Sequence, residues 1–328
     1  MKRRAFITGI TGQTGSYLAE LLLAKDYEVF GLIRRTSGHG TSRIDAFKDR
    51  LYLIPGDLTD QGSISRALKI CHPDEIYNMA SQSHVAVSFE APLHTADVTG
   101  LGALRLFEMV RQVCPKARIY QASSSEQFGN ARVSPQTEET PFNPVSPYGV
   151  AKTFAHFCAK VYRQAYHSFI ACGIAFNHES PRRGEEFVTR KITIAVAEIK
   201  HKLRQELELG NLDSFRDWSH AVDVAHGAWL TLQHETPEDF IFASGVSHSV
   251  REFCQAAFEK AGLNYDSYVK INDALMRPTE VSRLLGNSAK AKRLLGWIPT
   301  VSFDALIQEM VEHDLASVEH SLSSSVAG

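Results

Sequence analysis

Alternation of short apolar segments with helical patterns predicts an α/β fold built on a doubly wound parallel sheet. Six segments have the length and composition of buried strands: 4–8, 28–33, 51–54, 75–79, 118–122 and 168–174. A further strand at 239–243 follows a helical segment at 221–233 and returns the chain to the sheet. After residue 176 a polar loop precedes a new helix, and this change of pattern predicts a smaller C-terminal lobe that binds substrate.

The domain boundaries follow from these patterns. We assign residues 1–176 and about 218–246 to the sheet domain, and 177–217 and about 247–320 to the lobe. Residues 321–328 are serine-rich and of low complexity, which predicts a flexible tail. A chain of 328 residues is long enough to bury the cores of both parts.

Composition excludes several classes of protein. The formal net charge of -2 argues against a nucleic-acid partner. The cysteines are Cys71, Cys114, Cys158, Cys172 and Cys254. They are scattered, odd in number and without histidine pairing, so neither a disulfide framework nor a zinc site is predicted. No segment has the length of a membrane span, and we expect a cytoplasmic protein without a membrane partner.

The first predicted strand runs into a glycine-rich turn. Gly9, Gly12 and Gly15 stand at positions i, i+3 and i+6, ahead of an amphipathic helix at 17–25. The first glycine permits the tight turn, the second lets backbone N–H groups approach a pyrophosphate, and the third allows close packing of helix on strand. An ordinary turn is the alternative. The position one strand into the chain, directly before a helix, favours a dinucleotide site.

The end of the second strand indicates which dinucleotide is bound. Arg34 and Arg35 stand where an enzyme that uses NAD carries an acidic residue for the ribose 2′-hydroxyl. Guanidinium groups pair with a 2′-phosphate, so the arginines predict NADP, and a solvated basic turn is the alternative. Asp57, after the third strand, is placed to meet the adenine amino group. The alternative there is a turn in which Asp60 caps the next helix, and the two roles are compatible.

Two further segments predict the chemistry. Tyr148 and Lys152 lie four residues apart on one face of a helix, so the ammonium favours ionisation of the phenol, as hydride transfer requires. The proline-rich segment 140–147 leads the chain into that helix. Glu126 adds a carboxylate that can remove a proton from carbon, which a plain alcohol dehydrogenase does not need. Together these groups predict a dehydratase.

The predicted lobe is rich in cations, although the chain as a whole is not basic. Basic residues accumulate in 182–191 and recur at Arg216 and Arg277. Clustered cations suit a nucleotide diphosphate. For each arginine taken singly, a solvated surface position is the alternative.

These segments resemble the extended short-chain dehydrogenase/reductases and, within their nucleotide-sugar-modifying branch, the GDP-mannose 4,6-dehydratase family. The resemblance covers nearly the whole chain and is carried by segments 8–13, 34–35, 123–126, 146–152, 176–181, 187–191, 210–213, 216–218 and 277–281. The segments at 176–181 and 277–281 are more specific than the tyrosine and lysine pair, which many reductases share. The resemblance implies a Rossmann domain, NADP as cofactor and a GDP-sugar substrate.

The resemblance also implies a mechanism in three steps. Tyr148, assisted by Lys152 and Ser124, takes the proton of the sugar 4-hydroxyl while hydride leaves C4 for NADP⁺. Glu126 then removes the C5 proton and protonates the departing 6-hydroxyl, so that water is eliminated. Hydride returns to C6, which converts GDP-D-mannose to GDP-4-keto-6-deoxy-D-mannose without net use of cofactor.

Motifs and resemblance together assign the remaining contacts, and no metal is expected. The cofactor-binding residues are Gly9, Thr11, Gly12, Gln13, Thr14, Gly15, Arg34, Arg35, Asp57, Leu58, Met79, Ala80, Ser81, Gln82, Ser83, His94, Tyr148, Lys152, His178 and Arg183. The residues that bind the GDP-sugar are Ser83, Asn177, Val188, Lys191, Arg216, Arg277 and Glu280.

Five residues depart from the family pattern. Ser124 replaces a threonine, which keeps the hydroxyl and loses the methyl group that restricts its rotamer. Thr14 replaces an aspartate and His94 a tyrosine, both at the cofactor. Phe215 replaces a lysine and Ser219 a glycine, which leaves a GDP-manno-heptose as an alternative substrate.

Other functions stay open on the sequence alone. A GDP-sugar 4-reductase or 4-epimerase shares the glycine turn and the Tyr148 and Lys152 pair, but neither needs Glu126. A catalytically silent NADP-binding regulator is disfavoured because all four predicted catalytic residues are present. The resemblance also implies a homo-oligomer, a tetramer or a dimer, in which the polar loop 36–43 reaches a neighbouring subunit. A mobile surface loop is the alternative.

Overall fold

The chain folds around a seven-stranded parallel sheet. The computed structural model describes residues 2–34, 40–276, 279, 281 and 283–326, apart from the side chains of 325 and 326. The strands are β1 (Arg4–Thr8), β2 (Glu28–Ile33), β3 (Tyr52–Pro55), β4 (Glu75–Asn78), β5 (Arg118–Ser124), β6 (Ile170–Ala175), β7 (Asn177–Glu179), β8 (Leu207–Leu209), β9 (Phe215–His220), β10 (Asp239–Phe242), β11 (Ser247–Ser249) and β12 (Val269–Ile271).

Helices connect most of these strands. They are α1 (Gln13–Ala24), α2 (Gln61–Cys71), α3 (Val85–Glu90), α4 (Pro92–Thr95), α5 (Gly102–Val113), α6 (Pro147–Tyr166), α7 (Val188–Lys200), α8 (Ala221–Gln233), α9 (Val250–Lys260), α10 (Ala289–Leu295) and α11 (Phe303–Val326). A π-helix, Ala96–Leu101, leads into α5, and 3-10 helices span Ser42–Arg50, Ser125–Gln127, Tyr265–Ser267 and Asp273–Leu275. No helix in the described ranges has the length and apolar character needed to cross a membrane.

The large sheet has the strand order β3-β2-β1-β4-β5-β6-β10, and neighbouring strands are parallel throughout. The order reverses between β1 and β4, so the connections that follow these two strands diverge and leave a crevice at their carboxyl ends. The predicted doubly wound sheet is therefore confirmed, and its switch point sits where the glycine turn follows β1.

Apolar side chains cover both faces of this sheet. On one face α1 and α8 pack through residues such as Leu22 and Ala228. On the other face α2, α5 and α6 pack through Ile64, Leu106 and Ala155. Most predicted strands agree with the observed ones within one or two residues at each end. The first helix begins at Gln13 rather than at 17, because it starts directly from the glycine turn.

A smaller body of structure follows β6. β7, β9 and β11 form a three-stranded sheet, and β8 pairs with β12. α7, α9 and α11 share an apolar core that includes Val196, Phe253 and Met310. This is the region that the sequence assigns to a lobe, and its boundaries stay a prediction.

α10 and the segment after it pack against α8, one of the helices that cover the large sheet. Trp297 and Ala291 lie in the range 247–320, yet their side chains join the core under α8. Trp297 Nε1 donates to the Asp223 carbonyl at 2.8 Å, and the Asp223 carboxylate accepts from Thr300 N–H at 3.0 Å and from its hydroxyl at 2.6 Å. Asp223 thus anchors the C-terminal segment to the helix that covers the large sheet.

The C-terminal residues 321–326 are helical, where the sequence predicts a flexible tail. The hydroxyl groups of Ser321, Ser323 and Ser324 each donate a 2.9 Å hydrogen bond to the carbonyl four residues earlier. Serine is satisfied within the helix by these bonds, so its abundance does not end α11. Ala327 and Gly328 lie outside the described residues.

Trp297→Ala tests how strongly the C-terminal segment is anchored. Trp297 is 1% exposed, and removal of a buried tryptophan side chain costs about 3–5 kcal/mol. We expect a clear fall in the urea midpoint of unfolding. Ile298 is 53% exposed, so Ile298→Ala is the matched control and should change stability by less than about 0.5 kcal/mol. Equal midpoints for the two variants would contradict the anchoring.

Candidate active site

A cavity of about 750 Å³ opens at the carboxyl ends of the parallel strands. Its lining contains the four predicted catalytic residues and each described residue that the sequence assigns to cofactor or substrate. Three further assigned residues, Arg35, Arg277 and Glu280, lie outside the described residues. Folding therefore gathers segments from both halves of the chain around one space, and the roles of the individual residues stay predictions.

The glycine turn has the tight geometry that its spacing predicts. Gly9 has φ +70°, and a Cβ on Gly15 would lie 2.2 Å from the Gly9 carbonyl oxygen. Gly12 N–H donates to that same oxygen at 2.9 Å. Gly12 is the N-cap of α1, and no side chain in the described ranges caps this end. The first-turn N–H groups can therefore bind an anion in the cavity.

Gln13 ties the turn to β7. Its Nε2 donates to the His178 carbonyl at 2.9 Å, and its Oε1 accepts from the Ser180 hydroxyl at 2.8 Å. The two segments predicted to face the cofactor are thus joined by side-chain hydrogen bonds. Both the nitrogen and the oxygen of the Gln13 side-chain amide are therefore hydrogen-bonded within the protein.

His178 is held as a neutral imidazole. Burial lowers the pKa of His178 to about 4, and the charge of Arg183 acts in the same direction. Its Nδ1 lies 2.9 Å from the Phe176 carbonyl and donates to it, so Nε2 accepts from the Thr14 hydroxyl at 2.9 Å. Thr14 replaces an aspartate of the family pattern, and a carboxylate could not donate to this nitrogen.

Tyr148 and Lys152 lie together on α6. The helix begins at Pro147, and the Ser146 hydroxyl caps it by accepting from Gly149 N–H at 3.0 Å. Lys152 Nζ donates to the Ala122 carbonyl at 2.7 Å and lies 5.8 Å from the centroid of the Tyr148 ring. Both side chains are buried.

Burial shifts both groups toward their neutral forms. It raises the pKa of Tyr148 to about 12, against the hydrogen bond with Ser124 and the charge of Arg183, which act to lower it. Burial lowers the pKa of Lys152 to about 8. The phenol is therefore protonated at neutral pH until further positive charge favours the phenolate.

Ser124 and Glu126 follow from the end of β5. Ser124 N–H donates to Gln127 Oε1 at 2.9 Å, and the Ser124 hydroxyl accepts from Glu126 N–H at 3.3 Å. The 3-10 turn Ser125–Gln127 then places the buried Glu126 in the cavity wall. A hydroxyl, a phenol, an ammonium and a carboxylate thus face one space.

The rim contains the remaining cofactor candidates. Arg34 is exposed at the end of β2 and His94 is exposed on α4, and both line the cavity. Asp57 lines it as well, with Oδ1 accepting from Thr59 N–H and from its hydroxyl, both at 2.8 Å. Asp60 caps α2 through Gly62 N–H at 2.9 Å, so this part of the sequence prediction is confirmed.

The lobe presents polar groups from the opposite side. α7 begins at Val188, and its N-terminus has no side-chain cap within the described part of the chain. Lys191 lies in the first turn, and Arg216 Nη1 donates to the Val281 carbonyl at 2.8 Å. Asn177 Oδ1 is buried and accepts no hydrogen bond from any described residue. These groups suit an anionic ligand with further polar atoms.

Sequence reasoning missed several polar residues of the cavity wall, among them Arg43 and Glu179. Arg43 lines the cavity, and its Nε donates to the Arg182 carbonyl at 2.6 Å. Glu179 accepts from the Thr189 hydroxyl at 2.6 Å and pairs with Arg183 Nε at 3.2 Å. Neither has a local motif. Arg43 belongs to the segment 36–43, which the sequence predicts to reach a neighbouring subunit. Glu179 follows Asn177 and His178, and only those two residues of β7 are predicted to bind a ligand.

Two departures from the family pattern lie away from the cavity. Phe215 and Ser219 both belong to β9, and neither lines the cavity. Phe215 is partly exposed and Ser219 is buried. Neither position gives a structural reason for an altered sugar.

A doubly wound sheet with a glycine turn at its switch point, and a tyrosine and lysine pair on the helix after β5, define an extended short-chain dehydrogenase/reductase. Within that class, the family model described as GDP-mannose 4,6 dehydratase matches residues 6–310. The chain belongs to this family.

Similar proteins match this chain over nearly its full length. The chain is 50% identical over 326 residues to GDP-mannose 4,6 dehydratase 2 of Arabidopsis thaliana, covering 96% of this chain and 87% of that protein. It is 46% identical over 357 residues to GDP-mannose 4,6-dehydratase of Yersinia enterocolitica, covering 98% and 96%. The UDP-glucose 4-epimerase of Thermus thermophilus, solved in complex with NAD, has a TM-score of 0.84 at 27% identity, covering 95% and 98%.

The lowered pKa of Lys152 predicts a pH dependence of stability. A lysine in the unfolded chain titrates at about 10.4, so between about pH 8 and about pH 10 the unfolded state binds more protons than the folded one. This group therefore makes the folded protein more stable as the pH rises through that window. Without nucleotide, the stability of wild type relative to Lys152→Met should increase between these pH values.

Urea unfolding at a series of pH values measures this difference. Lys160 is exposed on the same helix, and Lys160→Met is the matched control, for which we expect a much flatter difference. If the difference in unfolding free energy between wild type and Lys152→Met stays constant or shrinks with rising pH, the lowered pKa of Lys152 is contradicted.

Proposed function

We propose that the protein is an NADP-dependent GDP-mannose 4,6-dehydratase that converts GDP-D-mannose to GDP-4-keto-6-deoxy-D-mannose. The observation that carries this proposal is the meeting of Ser124, Glu126, Tyr148 and Lys152 in one cavity. The N-termini of α1 and α7 open into the same space. Membership of the family supports the same reaction.

Two anionic ligands fit this arrangement. The N-terminus of α1 would bind the pyrophosphate of the dinucleotide, over a glycine turn in which a Cβ at Gly15 would collide with backbone. The N-terminus of α7, with Lys191 and Arg216, would bind the diphosphate of the GDP-sugar. Asn177 Oδ1 offers a buried acceptor to the same ligand. Both ligands would then extend toward Tyr148.

The tyrosine and its neighbours perform the first proton transfer. A bound nicotinamide supplies the hydride acceptor for C4 and, in the last step, the hydride donor for C6. Tyr148 takes the proton of the 4-hydroxyl, and the Lys152 ammonium at 5.8 Å from its ring favours the phenolate. The Ser124 hydroxyl donates to the sugar 4-oxygen and holds it against Tyr148.

Glu126 performs the elimination. The 4-ketone acidifies the C5 hydrogen, which the Glu126 carboxylate removes as a proton. The bond between C6 and its oxygen breaks, and the hydroxyl leaves as water with the proton that Glu126 returns. The proton that Tyr148 took from the 4-hydroxyl balances the proton lost with the water, and C5 regains a proton as hydride returns to C6. The product is lighter than the substrate by one water, and the cofactor ends in its starting oxidation state.

The site favours the hexose over the heptose alternative. The relatives of similar length are GDP-mannose dehydratases by name, and Phe215 and Ser219 lie outside the cavity lining. A 4-reductase or 4-epimerase would leave Glu126, a buried carboxylate in the cavity wall, without a role.

We also propose a homo-oligomer. Val150, Phe154, Phe157 and Val161 are exposed on α6 at a spacing that places them on one helix face. A second copy of the chain that packed on this stripe would bury it and would contact the helix that carries Tyr148 and Lys152. Light scattering of the protein in solution measures the mass of the resulting oligomer.

Replacement of Glu126 tests the reaction. With NADP⁺ and GDP-mannose, mass spectrometry of the wild-type reaction should show a product lighter by one water. Glu126→Gln should slow water loss by at least about 100-fold, while GDP-mannose binds with nearly unchanged affinity. The exposed Glu139 gives the control Glu139→Gln, which should be fully active. Unchanged water loss in Glu126→Gln, or wild-type water loss from GDP-manno-heptose only, would contradict the proposal.

Arg34 tests the choice of cofactor. Its guanidinium lines the cavity at the end of β2, where a 2′-phosphate would lie. Arg34→Ala should weaken NADP⁺ binding by about 10-fold or more, because a charge-assisted hydrogen bond is worth about 1.5–3 kcal/mol. Binding of NAD⁺, measured by calorimetry, should change little. Arg66→Ala on the exposed side of α2 is the control. Equal losses for both cofactors would contradict a 2′-phosphate contact.

A further inference from the structure

A buried polar chain lies behind the catalytic strand and takes no part in the steps above. The Ser123 hydroxyl is 3.0 Å from His156 Nδ1, and His156 Nε2 is 3.3 Å from Asp239 Oδ2. Arg163 Nη1 is 2.8 Å from Asp239 Oδ1. Ser123 and His156 are both buried. Polar contacts thus run from β5 through α6 to β10.

Cys172 makes this cluster resemble a metal site, but a cation already pairs with its carboxylate. The possible ligand atoms of His156, Cys172 and Asp239 lie within 4.8 Å of one another, although sequence spacing gives no cysteine a histidine partner. Arg163 neutralises Asp239, and both nitrogens of His156 have partners. Burial raises the pKa of the Cys172 thiol, so a metal would have to displace its proton to bind the thiolate.

The direction of the hydrogen bonds follows from Asp239. Burial acts to raise the pKa of Asp239, but hydrogen bonds from His156 and Arg163 outweigh it and hold the pKa below its usual range. A carboxylate only accepts, so His156 donates from Nε2. In the neutral imidazole Nδ1 is then the acceptor, and the Ser123 hydroxyl donates to it. This bond sets the rotamer of Ser123.

The end of β5 needs such a restraint. β4 pairs with β5 only as far as Gln121, whereas β6 pairs with it through Ser124. Residues 122–124 therefore have a backbone ladder on one side only. Side chains of α6 supply two further contacts: Lys152 Nζ donates to the Ala122 carbonyl, and His156 accepts from the Ser123 hydroxyl.

Strand geometry connects this tie to the catalytic hydroxyl. Successive side chains of a strand point to opposite faces, so a Ser123 side chain fixed toward α6 determines where Ser124 points. His156 lies one turn beyond Lys152 and two turns beyond Tyr148 on the same helix. One hydrogen bond thus relates the strand of Ser124 to the helix of Tyr148.

We propose that His156 is a positioning residue for this enzyme. Anchored by Asp239, it holds Ser123 from α6 and so sets the Ser124 hydroxyl against the sugar 4-oxygen. The inference rests on the proposed dehydratase function and adds to it a residue that contacts neither substrate nor cofactor.

Three variants separate the two contacts of His156. Ser123→Ala removes the donor on β5. His156→Asn keeps a polar atom near the Nδ1 position and loses Asp239, whereas His156→Gln reaches toward Asp239 and loses Ser123. Ser123→Ala and His156→Gln should lower kcat about 10-fold, since small misplacement of a reacting group is costly. KM for GDP-mannose should change by less than about twofold, because ground-state contacts persist. His156→Asn should keep most of the wild-type kcat.

Controls exclude a general loss of structure. Thr153→Ala removes a hydroxyl that donates to the Gly149 carbonyl within the same helix at 2.8 Å, and it should leave kcat unchanged. Circular dichroism and the thermal midpoint show whether each variant folds. The double variant Ser123→Ala/His156→Gln should lose no more kcat than either single one, because both remove the same bond.

Amide hydrogen exchange gives a readout that does not depend on activity. Residues 122–127 should exchange faster in Ser123→Ala and His156→Gln than in wild type or His156→Asn. If wild type releases no water from GDP-mannose while exchange follows this pattern, the proposed function is wrong. The restraint of β5 by the hydrogen bond between Ser123 and His156 is then still supported.

Three results would overturn the positioning role. The first is full kcat in folded Ser123→Ala and His156→Gln. The second is an equal loss of kcat in His156→Asn and His156→Gln. The third is one equivalent of zinc in the purified wild type, measured by elemental analysis, which would make the cluster a metal site.

Discussion

Lys152 donates from its buried ammonium to the Ala122 carbonyl at 2.7 Å, and this contact joins the helix of Tyr148 to the strand of Ser124. A buried cation without a partner would cost several kcal/mol, so the contact constrains both elements. Gln127 strengthens the joint, since its Nε2 donates to the Lys152 carbonyl at 3.2 Å while its Oε1 accepts from Ser124 N–H. The relative position of phenol, hydroxyl and ammonium follows from these bonds and not from loop conformation.

Burial sets the charge state of the same groups. It raises the pKa of Tyr148 to about 12 and lowers that of Lys152 to about 8, so each is driven toward its uncharged form. An ionised phenol beside an ammonium is favourable only as a pair. Further positive charge at the site is therefore needed to hold Tyr148 as the phenolate at neutral pH.

Much of this architecture could be predicted from local pattern. Buried parallel strands are short and apolar, so their periodicity and their turns reveal the sheet, and ligand-binding residues follow at the carboxyl ends of those strands. Pattern does not show which distant segments meet. His156, Cys172 and Asp239 share no spacing, and Arg43 enters the cavity wall from a 3-10 helix that carries no recognisable motif. Trp297 lies in a range that pattern assigns to the lobe, and only its contact with Asp223 reveals that it packs on the sheet side.

The departures from the family pattern acquire a physical meaning once their partners are known. Thr14 donates to His178 Nε2, which suits an imidazole that burial keeps neutral. Ser124 lacks the methyl group that restricts a threonine rotamer. Its hydroxyl instead accepts from Glu126 N–H at 3.3 Å.

The backbone of Ser124 is restrained from behind as well, because Ser123 is held through His156 to Asp239. A catalytic hydroxyl can be placed by its own branched side chain or by the segment that carries it. For the proposed mechanism we infer the second route, since hydrogen bonds hold both Ser123 and the backbone N–H of Ser124. Under this proposal, His156 and Asp239, which do not line the cavity, contribute to the geometry within it.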